Sequence, residues 1–140
     1  MVIDWGGGTL DVTVLEAIDG TFMEQSSAGI QRSGGVDFDS MIMKWLAEST
    51  PGSENWTGPQ RSMLRLDVEK AKMLLSDQDE VNIPLPGGDI RRLSKGEFEQ
   101  IANPLVEQLR IPIERCMRDI AALSVQIDSL VLAGGTCKIP

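Results

Sequence analysis

Two aspartates bracket a run of three glycines near the amino terminus, in Asp4-Trp5-Gly6-Gly7-Gly8-Thr9-Leu10-Asp11. Backbone without Cβ atoms can turn tightly and aim several N–H groups at one anion, the usual way main chain cradles a phosphate. Carboxylates beside such a turn suit Mg²⁺, a hard cation that takes oxygen ligands and keeps much of its hydration shell. Asp4 and Asp11 are therefore candidates to hold a hydrated Mg²⁺ through water. Thr9 is a candidate to hydrogen-bond a terminal phosphate or the attacking water. A glycine-rich hairpin with two solvated acids has the same letters. The acid before the glycines, the threonine directly after them and the second acid two residues on favour the phosphate loop. With almost no strand before the loop, one piece of a larger enzyme is expected.

Three further constellations each carry a plain reading beside a chemical one. In Ser33-Gly34-Gly35-Val36-Asp37-Phe38-Asp39, glycines before a helix start would let a phosphate reach its first-turn N–H groups. The plain reading is a turn with Asp37 or Asp39 capping the helix, and alone this segment favours it. Glu69, Lys72, Met73 and Ser76 are spaced to share one helix face, polar groups for a ribose and an apolar side chain for an adenine plane. A surface Glu–Lys pair contributing about 0.2–0.5 kcal/mol is the plain alternative. Gly134-Gly135-Thr136-Cys137-Lys138 follows an apolar run, where open α/β sheets place ligands. Cys137 has no histidine to activate it and is read as incidental.

The bulk composition narrows the classes. The chain has no histidine, which excludes a histidine general base, a Ser/His/Asp triad and a His-bearing zinc site. A formal net charge of −8 argues against nucleic acid or an anionic membrane as partner. Cys116 and Cys137 lie far apart with no C-x-x-C, so a reduced, cytoplasmic setting is expected. No stretch approaches the roughly 20 apolar residues of a membrane span, and no basic segment followed by an apolar one marks a signal peptide.

These residues need elements to position them. Val2-Ile3 reads as a strand end, Thr9 to Ile18 as a strand, Asp19-Gly20 as a hairpin turn and Thr21 to Ala28 as the returning strand. Phe38, Met41, Ile42 and Trp45 predict a helix over about Val36 to Glu48. A second helix is expected from Pro59 to Leu75, burying Leu64, Val68, Ala71 and Leu75. Val81, Ile83 and Leu85 alternate like an edge strand, turning at Pro86-Gly87-Gly88-Asp89. Ser94 to Glu97 fits a capping box. The helix it opens should bend near Pro104, break or kink at Pro112 and reach about Ala122. Leu105, Leu109, Ile113, Cys116, Met117 and Ile120 would face the core. Leu130 to Ala133 reads as a buried strand. The expected division is 1–33 as the β start of a core subdomain with the phosphate loop, 34–93 as an inserted outer subdomain, and 94–140 as returning helices, strand and last loop.

Taken in order, these segments resemble the nucleotide-binding domain of the heat-shock protein 70 chaperones. The family's second phosphate loop resembles Asp4 to Asp11, and its Gly-Gly-Glu-Asp-Phe-Asp segment resembles Gly34 to Asp39. Its Glu-x-x-Lys-x-x-x-Ser helix is similar to Glu69, Lys72 and Ser76, and its adenosine loop to Ala133 through Pro140 with changes. The resemblance implies an α/β fold of the ribonuclease-H-like, actin-like ATPase type, with ATP or ADP and Mg as cofactors of the intact protein and weak or no nucleotide binding by this chain alone. Gly6, Gly7, Gly8 and Thr9 would contact the β- and γ-phosphates. Asp4 and Asp11 would hold Mg and position water, and Gly35 would approach the phosphates. Glu69, Lys72 and Ser76 would bind adenosine, with Gly134, Gly135, Thr136 and Lys138 along the nucleotide. It further implies unfolded polypeptide, a J-domain co-chaperone and a nucleotide exchange factor as partners of the intact protein.

Departures from the family's pattern are specific. Met73 stands where many members have an adenine-stacking arginine, Val36 where they have glutamate, Lys138 where they have arginine, and Trp5 where they have a smaller apolar residue. Trp5 should alter the packing beneath the loop. The family's catalytic lysine and glutamate find no match here, so negligible ATP hydrolysis by this chain alone is expected. An actin-like or rod-shape filament ATPase of the same superfamily, and a non-catalytic interaction module that has lost nucleotide, are the rival readings.

Overall fold

The computed structural model describes residues 1–139, and Pro140, the end of the last loop, lies outside them. The chain forms two compact units. One comprises Met1–Val36 with Leu105–Cys137; the other comprises Asp37–Pro104 with the chain from Lys138.

The first unit is built on strands β1 (Val2–Trp5), β2 (Thr9–Ile18), β3 (Thr21–Gln31) and β6 (Val131–Ala133), in the order β3-β2-β1-β6. β1 runs antiparallel to β2 and parallel to β6. The β2–β3 hairpin closes at Asp19 and Gly20, both with positive φ, the geometry of the tight turns that match strand twist. Alternation along β2 sends Leu10, Val12 and Val14 to one face, where they pack with Ile3, Ala28, Cys116 and Ile120. The last two lie on helix α4 (Arg110–Ala121). Asp119 Oδ2 accepts the Ser26 hydroxyl at 2.7 Å, and Cys116 Sγ lies 3.5 Å from the Val12 carbonyl oxygen. The opposite face carries Asp4, Asp11, Thr13, Ser27 and Gly29.

In the second unit, α2 (Gly58–Leu74) and most of α1 (Gly35–Ser49) and α3 (Lys95–Gln108) accompany a hairpin of β4 (Glu80–Pro84) and β5 (Ile90–Ser94). Phe38, Ile42 and Leu46 of α1 are buried, as are Leu64, Val68 and Ala71 of α2, Val81 and Ile83 of β4, and Phe98 of α3. The Phe38 and Phe98 rings meet edge-tilted, with centroids 6.0 Å apart. The capping box expected at Ser94 forms: Glu97 Oε2 accepts the Ser94 N–H at 3.0 Å, and Ser94 Oγ accepts the Glu97 N–H at 3.3 Å. α2 opens with a box of its own, Thr57 with Gln60, its cap two residues ahead of Pro59.

Several expectations need correction. β3 runs on to Gln31, three residues past Ala28, because it keeps pairing with β2 as far as Thr9. α1 begins at Gly35, so Asp37 and Asp39 lie inside the helix and neither caps it. Pro104 sits within α3, while the break expected from Pro112 does occur, at Leu109. The ring of Pro112 is incompatible with a helical carbonyl four residues earlier, at Gln108, where α3 stops. Met117 is 45% exposed rather than core. Leu130, Val131 and Leu132 are more than half exposed, and among the described residues β6 pairs only with β1.

Candidate functional site

Register brings the two predicted acids together. Asp4 of β1 pairs directly with Asp11 of β2, which places both side chains on the same sheet face. Asp11 pairs in turn with Gly29, and Asp4 with Ala133, so one row across the four strands reads Gly29, Asp11, Asp4, Ala133. Both flanks of the carboxylates are nearly bare. A Cβ on Gly29 would lie 2.4 Å from Asp11 Oδ1, and one on Gly134 would lie 2.8 Å from Asp4 Oδ1. The acids thus rest over glycine backbone and are exposed. Like charges set directly opposite destabilise a sheet, a cost that a shared cation removes. Among the described residues no cluster of three or more metal-ligating side chains exists. Two exposed carboxylates fit a cation that keeps most of its water, as Mg²⁺ does.

The glycine loop turns its carbonyls inward. Gly6 O accepts from the Gly35 N–H at 3.2 Å and from the Thr136 hydroxyl at 2.8 Å. Gly7 O accepts from the Val36 N–H at 2.8 Å, and Gly8 O from the Arg32 N–H at 3.0 Å. Gly6 N–H is used within the loop, on Thr9 O at 3.0 Å. The N–H groups of Gly7 and Gly8 donate to nothing among the described residues, and both glycines are exposed. A Cβ at either would meet no atom of the chain within 4 Å. Internal packing therefore does not call for glycine at these two positions, whereas close approach of a ligand does. Thr9 is exposed at the loop's end.

Gly34 and Gly134 are glycines for the other reason. A Cβ on Gly34 would overlap the Gly7–Gly8 peptide at 2.4–2.5 Å, and one on Gly134 the Trp5 carbonyl at 2.2 Å. Gly134 also has φ +87. Three glycine segments are thus stacked backbone on backbone. The sequence reading of the second segment is altered by this: the N–H groups of Gly35 and Val36 serve the loop's carbonyls. Thr136 is buried with its hydroxyl on Gly6 O, and Gly135 has no neighbour where a Cβ would sit. Trp5, half-buried against the core, donates its indole N–H to the Ser33 carbonyl.

In the second unit, Glu69, Met73 and Ser76 are exposed along α2 and the turn after it. Ser76 Oγ donates to the Lys138 carbonyl at 3.0 Å. Lys72 is different. Only 7% exposed, it sets its Nζ 2.7 Å from Oδ1 of the equally buried Asp39 on α1. The plain reading of a surface Glu–Lys pair is thereby replaced by a buried pair between helices. Burial raises the Asp39 carboxyl above its ordinary range, with the hydrogen bond and charge of Lys72 pulling the other way. Trp5 was expected to alter the packing beneath the loop, but its bond to Ser33 and the pairing of Asp39 with Lys72 were not foreseen. For Asp39 a signal existed: it lies three residues, about one turn, before the buried Ile42 yet is acidic.

The chain matches known proteins over its whole length. The family model described as Hsp70 protein covers residues 1–140. The chaperone protein DnaK of Deinococcus proteolyticus is 37% identical, with 100% of this chain and 25% of the relative covered. The chaperone protein dnaK of Guillardia theta is 37% identical, with 100% and 24% covered. The chaperone protein dnaK3 of Synechocystis is 38% identical, with 100% and 20% covered. The chain spans about a quarter of the length of the curated relatives it matches. Its α/β architecture is that of the actin-like ATPase fold of the family's nucleotide-binding domain, and the chain belongs to the Hsp70 family.

Proposed function

We propose that this chain supplies phosphate, Mg and adenosine contacts to the ATPase of a heat-shock-70 chaperone, in which nucleotide state controls the grip on unfolded polypeptide. The observation that carries the reading is the loop at Gly6 to Thr9. Its carbonyls are consumed inward, its Gly7 and Gly8 N–H groups face out, and the Asp4–Asp11 pair stands beside it. Outward N–H groups form a positive cradle for a terminal phosphate, and the adjacent acids set a hydrated cation next to it. Thr9 offers a hydroxyl to the same phosphate. When bound, Mg²⁺ would neutralise charge on the phosphate oxygens.

Glu69, Met73 and Ser76 would meet the adenosine, with Met73 packing on the ring where many relatives stack an arginine. Lys72 would reach the ribose from its place against Asp39. Gly35, Gly134, Gly135, Thr136 and Lys138 would shape the rest of the nucleotide's bed. A J-domain co-chaperone and a nucleotide exchange factor are the proposed partners, and a cytoplasmic setting fits the free thiols. Among the described residues no helix is long and apolar enough to cross a membrane. The filament rival is not favoured, since the relatives matched are chaperones. A non-catalytic module remains as the second reading, on the strength of Met73 and Val36.

Calorimetric titration with Mg-ADP and Mg-ATP tests the proposal. Weak but saturable binding that Asp4→Asn and Gly7→Ala each weaken about tenfold or more is expected. Binding in both variants as tight as in the parent would overturn the site assignment, and no binding by either this chain or the intact chaperone would favour the non-catalytic module.

A further inference from the structure

We infer that Trp5 is a positioning residue for the phosphate loop, acting as a hydrogen-bonded clasp between the first two glycine segments. The inference rests on the nucleotide reading for its functional consequence but not for its geometry. Trp5 is the last residue of β1, directly before Gly6. Its indole N–H donates to the carbonyl of Ser33, a residue with no exposed surface, and its ring packs against the core of the first unit. Ser33 begins the segment that holds the loop in shape: Gly34 lies on the Gly7–Gly8 peptide, and the Gly35 and Val36 N–H groups take the Gly6 and Gly7 carbonyls. With those carbonyls drawn inward, the Gly7 and Gly8 N–H groups are the ones left facing out. A side-chain donor at position 5 thus fixes which way the loop's peptide dipoles point, from beneath and without touching ligand.

A small aliphatic residue at position 5 has no donor to offer Ser33. The buried Ser33 carbonyl would then depend on some other donor, because an unmet buried acceptor is costly. The clasp is therefore a device particular to a tryptophan here, and it separates two contributions of the side chain. The ring fills the core and the N–H orients the loop. Trp5→Phe removes the second while keeping most of the first; Trp5→Leu removes both.

Amide hydrogen exchange of the full 140-residue chain, read by NMR, tests the clasp directly. In Trp5→Phe, the Gly35 and Val36 amides should exchange about fivefold to tenfold faster, the equivalent of losing one hydrogen bond. Those of Val12 and Val14 in β2 should be unchanged. Equal rates at Gly35 and Val36 in parent and variant would overturn the inference. So would a uniform rise that includes β2, which is what a purely structural role predicts and what Trp5→Leu should show. A second arm compares ligands: Trp5→Phe should weaken Mg-ADP but leave adenosine binding as in the parent, and equal weakening of both would also overturn it. A parent that binds neither ligand, with the exchange pattern as expected, would sink the nucleotide reading and leave the clasp standing.

Discussion

Lys72 Nζ lies 2.7 Å from Asp39 Oδ1, and neither side chain is more than a tenth exposed. Breaking such a pair strands a charge in a poor solvent, whereas replacing both members by apolar groups is close to neutral. Lys72→Met and Asp39→Leu should each cost about 3–5 kcal/mol in urea unfolding, and Asp39→Leu/Lys72→Met far less than their sum. An additive double variant would show that the two residues are not coupled. Burial holds the Asp39 carboxyl above its usual 3.8, so its stabilising contribution is full below that value and declines as pH rises through the folded-state value. Lys72→Met should steepen that decline, since the opposing cation is gone.

The glycines divide by what surrounds them. Gly34→Ala and Gly134→Ala drive a methyl into backbone atoms that cannot swing aside, and each should cost about 1–3 kcal/mol or more. Gly7→Ala and Gly8→Ala meet nothing and should stay within about 0.5 kcal/mol of the parent. Those same two should weaken nucleotide binding by about tenfold or more, a change of only 1.4 kcal/mol or so. Melting curves beside binding isotherms for all four variants would read this out, and a destabilised Gly7→Ala would contradict the described loop.

Opposed acids set stability against binding. Asp11→Asn removes a like-charge pair across β1 and β2 and should stabilise the fold by about 0.2–1 kcal/mol at low salt. The gain should shrink as ionic strength rises, because the carboxylates are exposed and screened. Mg-dependent nucleotide binding should fall in the same variant. Urea midpoints at low and high salt decide it; a variant less stable than the parent at low salt would mean the acids are not in repulsion.

Glu97 offers a pH signature. The Ser94 backbone N–H, first, and its hydroxyl hold this carboxyl below its usual 4.5. Its contribution is therefore present above 4.5 and lost as pH falls through the folded-state value. Glu97→Ala should cost about 1 kcal/mol near neutral pH, and the deficit should vanish in acid. A deficit independent of pH would mean the helix start does not rely on the ionised cap.

Much of the fold was legible because it follows local rules. β2 ends where the Asp19-Gly20 turn must begin, α2 buries the stripe at Leu64, Val68, Ala71 and Leu75, and the box at Ser94 opens α3. What the residues alone could not show depends on contacts distant in sequence. The Trp5–Ser33 bond, the Asp39–Lys72 pair and the seating of Thr136 under Gly6 join positions 28, 33 and 130 residues apart, and no periodicity encodes them. β6 was misread for a related reason. An apolar run such as Leu130 to Ala133 describes a strand with both faces covered, and cannot tell that among the described residues its one neighbour is β1.

The stretch between Trp5 and Leu10, which pair across the turn, also acts as a ruler. Strand side chains alternate, so sliding one strand by a single residue sends its whole row to the other face. One residue more or fewer between those two positions, carried into the register, would leave Asp4 opposite a core residue such as Val12 or Leu10, and both acids would lose their counterpart. Replacing a loop residue perturbs one contact; changing the loop's length erases the carboxylate pair outright. Sequence drift in this segment should therefore proceed by substitution at fixed spacing, with the count of residues held more tightly than their identities.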